Sequence, residues 1–395
     1  MKIAIVHSYY TDKTPSGENI TVDLQAEALA NAGHTVRVIG VSTDDLARES
    51  LYKTRTAVKV ASGRGLSPLP ELERFSPDVT HIHNLFPNFS TGWLQRWQGP
   101  VIATLHNFRP LCSNGLLFRD GHKCTLCPDR GQHHALIHSC YKNSRIATLP
   151  ITIKNRGQVT EDAVIKNASK LIVLSQRSIR TYEQYGVPST QMEMIPNFIN
   201  EPAKWLDEDN MSQSWLYAGR LNPEKGIIDL LDNWPSDRHI RIAGAGTEEE
   251  SIKKISNNRP NVTYIGSLSR ENMIEEVGRS KGLVIPSLCA ENLPTVYLEA
   301  LASGIPVIAR EGNSAADDVN EWAPGLTYGS EETLALALGK ADSQYHQLRN
   351  AAKSRFKSLF TEHAWIKQIE KVYDTACQRD TASNPGITNA PSCKQ

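Results

Sequence analysis

The chain has no surplus of either charge and no long apolar run. Its 395 residues hold 43 lysines and arginines against 43 aspartates and glutamates, so bulk attraction to nucleic acid or another polyanion is excluded as a function. No stretch approaches the ~18 apolar residues of a membrane-crossing helix. The opening MKIAIVHSYY carries one lysine and a short apolar stretch that runs into a polar loop, without the length or cleavage site of a signal peptide. A cytoplasmic location follows as the expectation, with the seven cysteines reduced there. No repeat of fixed short period is present. No G-x-G-x-x-G follows the first apolar run, which argues against a dinucleotide fingerprint. RIAGAGTEEE has G-x-G but lacks the third glycine, and its loop, with Gly244, fits the lining of a nucleotide base.

What is present alternates. Lys2–Val6 reads as a strand, a polar glycine-containing loop follows, and ITVDLQAEALANAG reads as a helix capped by Gly33. DVTHIHN, PVIATLHN, KLIVLSQ and MEMIPN continue as apolar runs ending in polar residues, and the pattern restarts at Ser214 with SWLYAGR, HIRIAGAG, NVTYIGSL, GLVIPSL and GIPVIA. Strands alternating with helices predict α/β architecture with parallel sheets covered on both faces. The polar, aperiodic NEPAKWLDEDNMSQ places a domain boundary near residue 205. The reading is a first domain over 1–205 with a cysteine-bearing insert at 109–141, and a second over 206–360. A closing amphipathic helix spans 361–377, and 378–395 reads as a disordered tail.

Chemistry is expected at the carboxyl ends of the strands. Glu291 and Glu299 sit in PSLCAENLPTVYLEALASGIPVIA, the first in a strand-to-helix loop and the second a turn into the helix. Pro294 is read as the first helical residue, so anion contacts at this helix start fall to Thr295 and Val296. Arg220 and Lys225, in AGRLNPEKGI, supply a bidentate fork and a compact charge suited to a diphosphate. Two hydroxylated rings joined by a diphosphate, as in a nucleotide-sugar, match this layout. The plain alternative for each is a solvated loop or helix face. His106 ends an apolar run of the first domain and can donate to a hydroxyl or phosphate, or simply be a satisfied histidine in a cleft wall. His7 is a further cleft residue, and His81 and His83 read as packing. Gly17, in PSGEN, lets backbone approach a phosphate or sugar closely.

Cys112, Cys124, Cys127 and Cys140 include a C-x-x-C pair and fit a closed, structural zinc site; reduced thiols or a redox pair fit equally. From Lys142 to Arg180 the chain has Lys142, Arg145, Lys154, Arg156, Lys166, Lys170, Arg177 and Arg180 against Glu161 and Asp162. This run suits anionic lipid headgroups or a lipid diphosphate, or a solvated helical face.

With these motifs in hand, the chain resembles the retaining GT-B glycosyltransferases of the group 1, family 4-like bacterial type. GRLNPEKG, AENLPTVYLEALASGIPVIA, IPNFI, AGAG and the closing helix carry the likeness. It implies two Rossmann-like, doubly wound domains facing a deep cleft, the first binding acceptor and the second nucleotide-sugar, with the closing helix crossing back to the first. It implies Arg220 and Lys225 on the donor diphosphate, Glu291 on the donor sugar, Glu299 on the ribose, His106 beside the reacting sugar and Asn197 near the hinge. The implied reaction moves a sugar from a UDP- or GDP-sugar to a hydroxyl of a saccharide or lipid-linked saccharide, with retention and without a catalytic metal. An epimerase, a phosphorylase or a catalytically dead, zinc-stabilised interaction protein are the alternatives. Two departures stand out: Ser16 precedes Gly17 where relatives have a second glycine, and Asn292-Leu293-Pro294 replaces Gly-Phe-Gly.

Overall fold

The computed structural model describes residues 1–11, 17–201 and 212–383. They form two compact units: Met1–Leu117, Thr125–Asn197 and the chain from Trp365 make the first, Phe118–Cys124 and Phe198–Ala364 the second. The units part between Asn197 and Phe198; the boundary expected near residue 205 falls outside the described residues.

The first unit is built on strands β1 (Lys2–Tyr9), β2 (Thr35–Ser42), β3 (Val79–Asn84) and β4 (Val101–Leu105). A hairpin of β5 (Phe118–Arg119) and β6 (His122–Lys123), grouped with the second unit, interrupts the sequence before β7 (Lys170–Val173) and β8 (Met192–Met194). The first unit's sheet is parallel and six-stranded, in the order β2-β1-β3-β4-β7-β8. Ile3 of β1 lies between Val36 and Val79. A central parallel strand is covered on both faces and so needs a continuous apolar run; Ile3, Ala4, Ile5 and Val6 are all fully buried. The order reverses between β1 and β3, because the chain leaves β1 to one side and returns to the other. The hairpin turns on Asp120 (φ 51°) and Gly121 (φ 83°), the pair of positive angles a two-residue loop requires.

The closing helix, Glu362–Ser383, belongs to the first unit from Trp365 on. Trp365, Ile369, Tyr373 and Ala376 form its buried stripe. It runs past residue 377, so 378–383, expected as tail, are helical. Residues 384–395 lie outside the description.

The second unit contains β9 (Trp215–Ala218), β10 (Ile240–Ala243), β11 (Val262–Gly266), β12 (Gly282–Ile285), β13 (Val307–Arg310) and β14 (Thr327–Tyr328). Its parallel sheet has the order β11-β10-β9-β12-β13-β14, the doubly wound dinucleotide-fold order. Trp215 pairs with Ile240 on one side and Gly282 on the other. A side chain at Gly282 would meet the Trp215 ring at 2.4 Å, so the pairing needs glycine there. The helix Thr295–Ser303 buries Tyr297, Leu298, Ala300 and Leu301 and ends, as expected, at Gly304 with φ 64°. Among the described residues no helix is long and apolar enough to cross a membrane.

Candidate functional site

In the second unit the strand order reverses between β9 and β12, and loops leaving those two strands flank the switch point where ligands of open α/β sheets gather. The loop after β9 holds Arg220, a short turn at Pro223–Lys225, and Gly226 with φ 68°. A side chain on Gly226 would come within 2.4 Å of the Pro286 carbonyl in the loop after β12. That approach of backbone to backbone brings Lys225 and Glu291 together. Lys225 Nζ and Glu291 Oε1 form an ion pair, while Ser287 Oγ donates to Glu291 Oε2 at 3.0 Å. Ser314 Oγ donates to the Glu291 carbonyl. The side chains are 16% and 10% exposed, so the pair is nearly desolvated.

Arg220 is different. Its side chain is 55% exposed, and it pairs with the Glu224 carboxylate 3.5 Å away. The Tyr217 hydroxyl donates to the Arg220 carbonyl at 2.6 Å and fixes the backbone while the guanidinium stays in solvent. Glu224 is itself buried, and its carbonyl accepts from the Leu288 N–H at 3.0 Å, a second tie between the two loops.

Glu299 lies inside the helix after Glu291 and is buried. Its partner is Arg270, with Nη1 3.5 Å from Oε1. Burial pushes the Glu299 carboxyl up and the Arg270 charge pulls it back. Arg270 was not foreseen; its signal is Ser269, which caps the helix Arg270–Arg279 directly after the YIGSL run. Pro294 proves to be the N-cap, with ψ 144°, and Thr295 the first helical residue. An extended ψ suits the cap position, and the shift leaves Thr295 and Val296 in the first turn, whose N–H groups have no acceptor within the helix.

Gly244 has φ 142°, and a side chain there would meet the Gly219 carbonyl at 1.8 Å. Its N–H donates to Gly266 at 2.8 Å. The glycine is thus demanded by backbone crossing between the loops after β9 and β10, and its donor is used internally; Ala245 and Gly246 beside it are exposed.

In the first unit His106 follows β4. His83 Nδ1 and His106 Nε2 are 2.9 Å apart with stacked rings. His81 lies between the Tyr373 hydroxyl at 2.7 Å and Thr104 Oγ1 at 2.8 Å, so it fastens the closing helix to β3 and β4. His7 Nε2 meets Asn19 Oδ1 at 3.1 Å. Burial pulls His81 and His106 down to about 3, and lowers His83 and His7 as well. All four imidazoles are neutral near pH 7. Gly17 is exposed and opens the helix Gly17–Asn31. Asn197 accepts from Gln25 Nε2 at 3.3 Å.

A cavity of about 90 Å³ beside His106 is lined by His83, Asn84, Phe86, Arg109 and Lys59, among others. Arg109 was missed from sequence. Its guanidinium lies 4.3 Å from the Phe86 ring centre and donates to the Ser113 carbonyl at 3.1 Å. Asn84, which ends β3, donates to the Tyr10 hydroxyl at 2.9 Å. Asn84 was legible by the rule that picked His106: a polar residue closing a buried strand.

Cys112, Cys127 and Cys140 fall in the first unit and Cys124 in the second. Cys112 Sγ–H donates to Asn114 Oδ1 at 3.0 Å. Among the described residues no three His, Cys, Asp or Glu side chains are gathered as a metal ion requires, so the expected zinc set is not assembled here. In the basic run, Lys154 pairs with Asp162, Lys166 with Glu161 and Lys170 with Glu193.

Two parallel-sheet α/β units, the second wound like a dinucleotide fold, are the architecture of GT-B enzymes. The Glycosyltransferase Family 4 pattern matches residues 15–201, and the Glycosyl transferases group 1 pattern matches 202–355. The chain belongs to this glycosyltransferase family. It is 22% identical over 407 aligned positions to a phosphatidyl-myo-inositol mannosyltransferase of Mycobacterium leprae, covering 95% of this chain and 97% of that one. It is 26% identical over 230 positions to the lipopolysaccharide 1,2-N-acetylglucosaminetransferase of Salmonella typhimurium, covering 50% of this chain and only 59% of that protein. Among solved structures, sucrose-phosphate synthase from Thermosynechococcus elongatus superposes with TM-score 0.68 at 18% identity, over 96% of this chain and 99% of that one. HepE from Anabaena, bound to UDP, superposes with TM-score 0.62 at 14% identity, over 95% and 100%.

Proposed function

We propose that this protein transfers a sugar from a nucleotide-diphosphate sugar to a hydroxyl acceptor, with the anomeric configuration retained. The Lys225–Glu291 pair at the β9/β12 switch point, with the exposed Arg220 in the same loop, is the observation that carries this reading. Arg220 and Lys225 bind the donor diphosphate and stabilise the charge that grows on the leaving phosphate. Thr295 and Val296 add N–H groups from a helix start, where the dipole favours an anion. Glu291 accepts from a hydroxyl of the donor sugar and Glu299 from the ribose. These cations and N–H groups are the basis for proposing that catalysis needs no metal.

No carboxylate is assigned as a covalent nucleophile. The acceptor oxygen therefore attacks the anomeric carbon on the face from which the diphosphate leaves. The bond to the phosphate oxygen breaks, and that oxygen takes the acceptor's proton. His106, held neutral, hydrogen-bonds the donor sugar; Gly17, Asn197 and the loop at Gly244 complete the donor contacts.

The first unit is assigned to the acceptor and the second to the nucleotide-sugar. A saccharide or lipid-linked acceptor is supported by the names of the mycobacterial and Salmonella relatives, and a uridine donor by UDP in HepE, with GDP-sugars the other choice. A cytoplasmic site of action goes with such donors. Thermal shift against UDP- and GDP-sugars tests the donor, because a bound ligand stabilises by mass action. Transfer to a hydroxyl acceptor, with the product's anomeric configuration read by NMR, tests the reaction; inversion, or no stabilisation by either nucleotide class, overturns the proposal.

A further inference from the structure

A carboxylate that is nearly buried normally has hydrogen-bond donors around it. Glu299 does not. Its side chain is 7% exposed, and it sits in a helix whose residues from Tyr297 to Ala302 are all buried. Among the described residues its partner is the Arg270 guanidinium, with Nη1 3.5 Å from Oε1, and that is the one charge acting on it. Glu291 differs, with Lys225 on one oxygen and Ser287 on the other. At 3.5 Å a guanidinium still attracts a carboxylate but is too far for a good hydrogen bond. Arg270 therefore supplies a counter-charge and leaves the lone pairs of Glu299 open to another donor.

The place of Arg270 in its own helix makes the same point. It is the first residue of the helix Arg270–Arg279, which follows β11 and packs along the helix that carries Glu299. A cation at a helix start opposes the dipole, so the helix gains nothing from it. The cap is supplied by Ser269, whose hydroxyl accepts from the Asn272 N–H at 3.3 Å. Two later acids of this helix have their own cations: Glu275 pairs with Arg279 and Glu276 with Arg241. Following β11 also puts Arg270 at the carboxyl ends of the strands, where ligands of such sheets bind.

We propose that Arg270 is a positioning residue for the donor: it holds the Glu299 carboxylate so that its oxygens accept from the ribose hydroxyls. The inference rests on the proposed assignment of Glu299 to the ribose. A carboxylate taken out of water with no counter-charge is costly to keep ionised, and one tightly hydrogen-bonded to its counter-charge has fewer acceptors left for a ligand. The Arg270 arrangement avoids both. The opposite role, in which Arg270 occupies the place of the ribose and is displaced by it, predicts tighter binding when the arginine is removed.

Calorimetric titration of the full chain tests it, with UDP, with GDP, and with the 2′,3′-dideoxy form of whichever binds more tightly. The dideoxy form should bind the wild type about tenfold or more weakly than the ribose form. Glu299→Gln and Arg270→Leu should each weaken the ribose form about tenfold and leave the dideoxy form within about twofold, since both act on one contact. Glu299→Gln/Arg270→Leu should bind like Glu299→Gln alone, and Arg270→Lys, which keeps the charge, should recover most of the affinity. Thermal melts verify folding; should Arg270→Leu not fold, Arg270→Gln replaces it in each comparison. No binding of either nucleotide, or equal binding of ribose and dideoxy forms by the wild type, would overturn the donor assignment and this inference with it. With that assignment intact, unchanged or tighter binding of the ribose form by Arg270→Leu, or equal weakening of both forms, would overturn the role of Arg270 alone.

Discussion

Lys225 and Glu291 form a nearly desolvated ion pair in which the carboxylate's second oxygen is held by Ser287. Removing one partner leaves the other charged, buried and unmatched. Lys225→Ala and Glu291→Ala should each destabilise the fold by about 1–3 kcal/mol, whereas the double variant should lose far less than the sum. A double-mutant cycle by urea unfolding should give a coupling of about 1–3 kcal/mol. A coupling near zero would mean that the pair is held apart by solvent.

Arg220 makes the opposite prediction. Its side chain is mostly exposed and its carboxylate contact long, so little stability depends on it. Arg220→Ala should leave the melting temperature within about a degree or two while cutting turnover ~100-fold or more, as for other lost transition-state contacts. Arg220→Lys should recover only part of the loss, because a point charge does not reproduce the fork. Steady-state rates beside thermal melts separate the two effects.

The second unit was the more legible part of this chain. Buried parallel strands announce themselves as apolar runs, and the loops after them lie at the carboxyl ends of the sheet; Arg220 and Glu291 were picked from such loops, as was His106 in the first unit. Partners across the fold do not. Nothing local to Lys225 indicates that Gly226 lets its loop close on Pro286, and nothing local to Glu299 indicates Arg270. Pro294 slipped by one position because proline suits both the cap and the first turn. The closing helix runs beyond 377 because nothing from Gln378 to Ser383 is a strong breaker.

The histidines predict acid sensitivity. His81 and His106 titrate near 3 in the folded chain, against about 6.5 when unfolded. Between those values the unfolded chain binds more protons, so stability rises with pH across the window, is complete above about 6.5, and is lost as pH falls. Each of these histidines should cost about 1.4 kcal/mol per pH unit below its unfolded value. His81→Gln, which can still bond Tyr373 and Thr104, should flatten the melting temperature measured from pH 4 to 7. An unchanged slope would place the sensitivity elsewhere.

Gly244 offers a test of the donor loop that needs no ligand. Its φ of 142° lies where other residues are strained, and a Cβ would sit 1.8 Å from the Gly219 carbonyl. Neither segment can yield easily, because Gly219 N–H is bonded to Ala243 O at 3.1 Å and Gly244 N–H to Gly266 O at 2.8 Å. Gly244→Ala should therefore destabilise the second unit by about 3 kcal/mol or more, combining strain with a forced backbone shift. Gly246 is the informative comparison. It has no positive φ, yet a side chain there would also press on Leu221 O at 2.3 Å, so Gly246→Ala isolates crowding from strain. If Gly244→Ala proves no worse than Gly246→Ala in urea unfolding, crowding governs both sites; a clear excess for Gly244→Ala measures the conformational part directly.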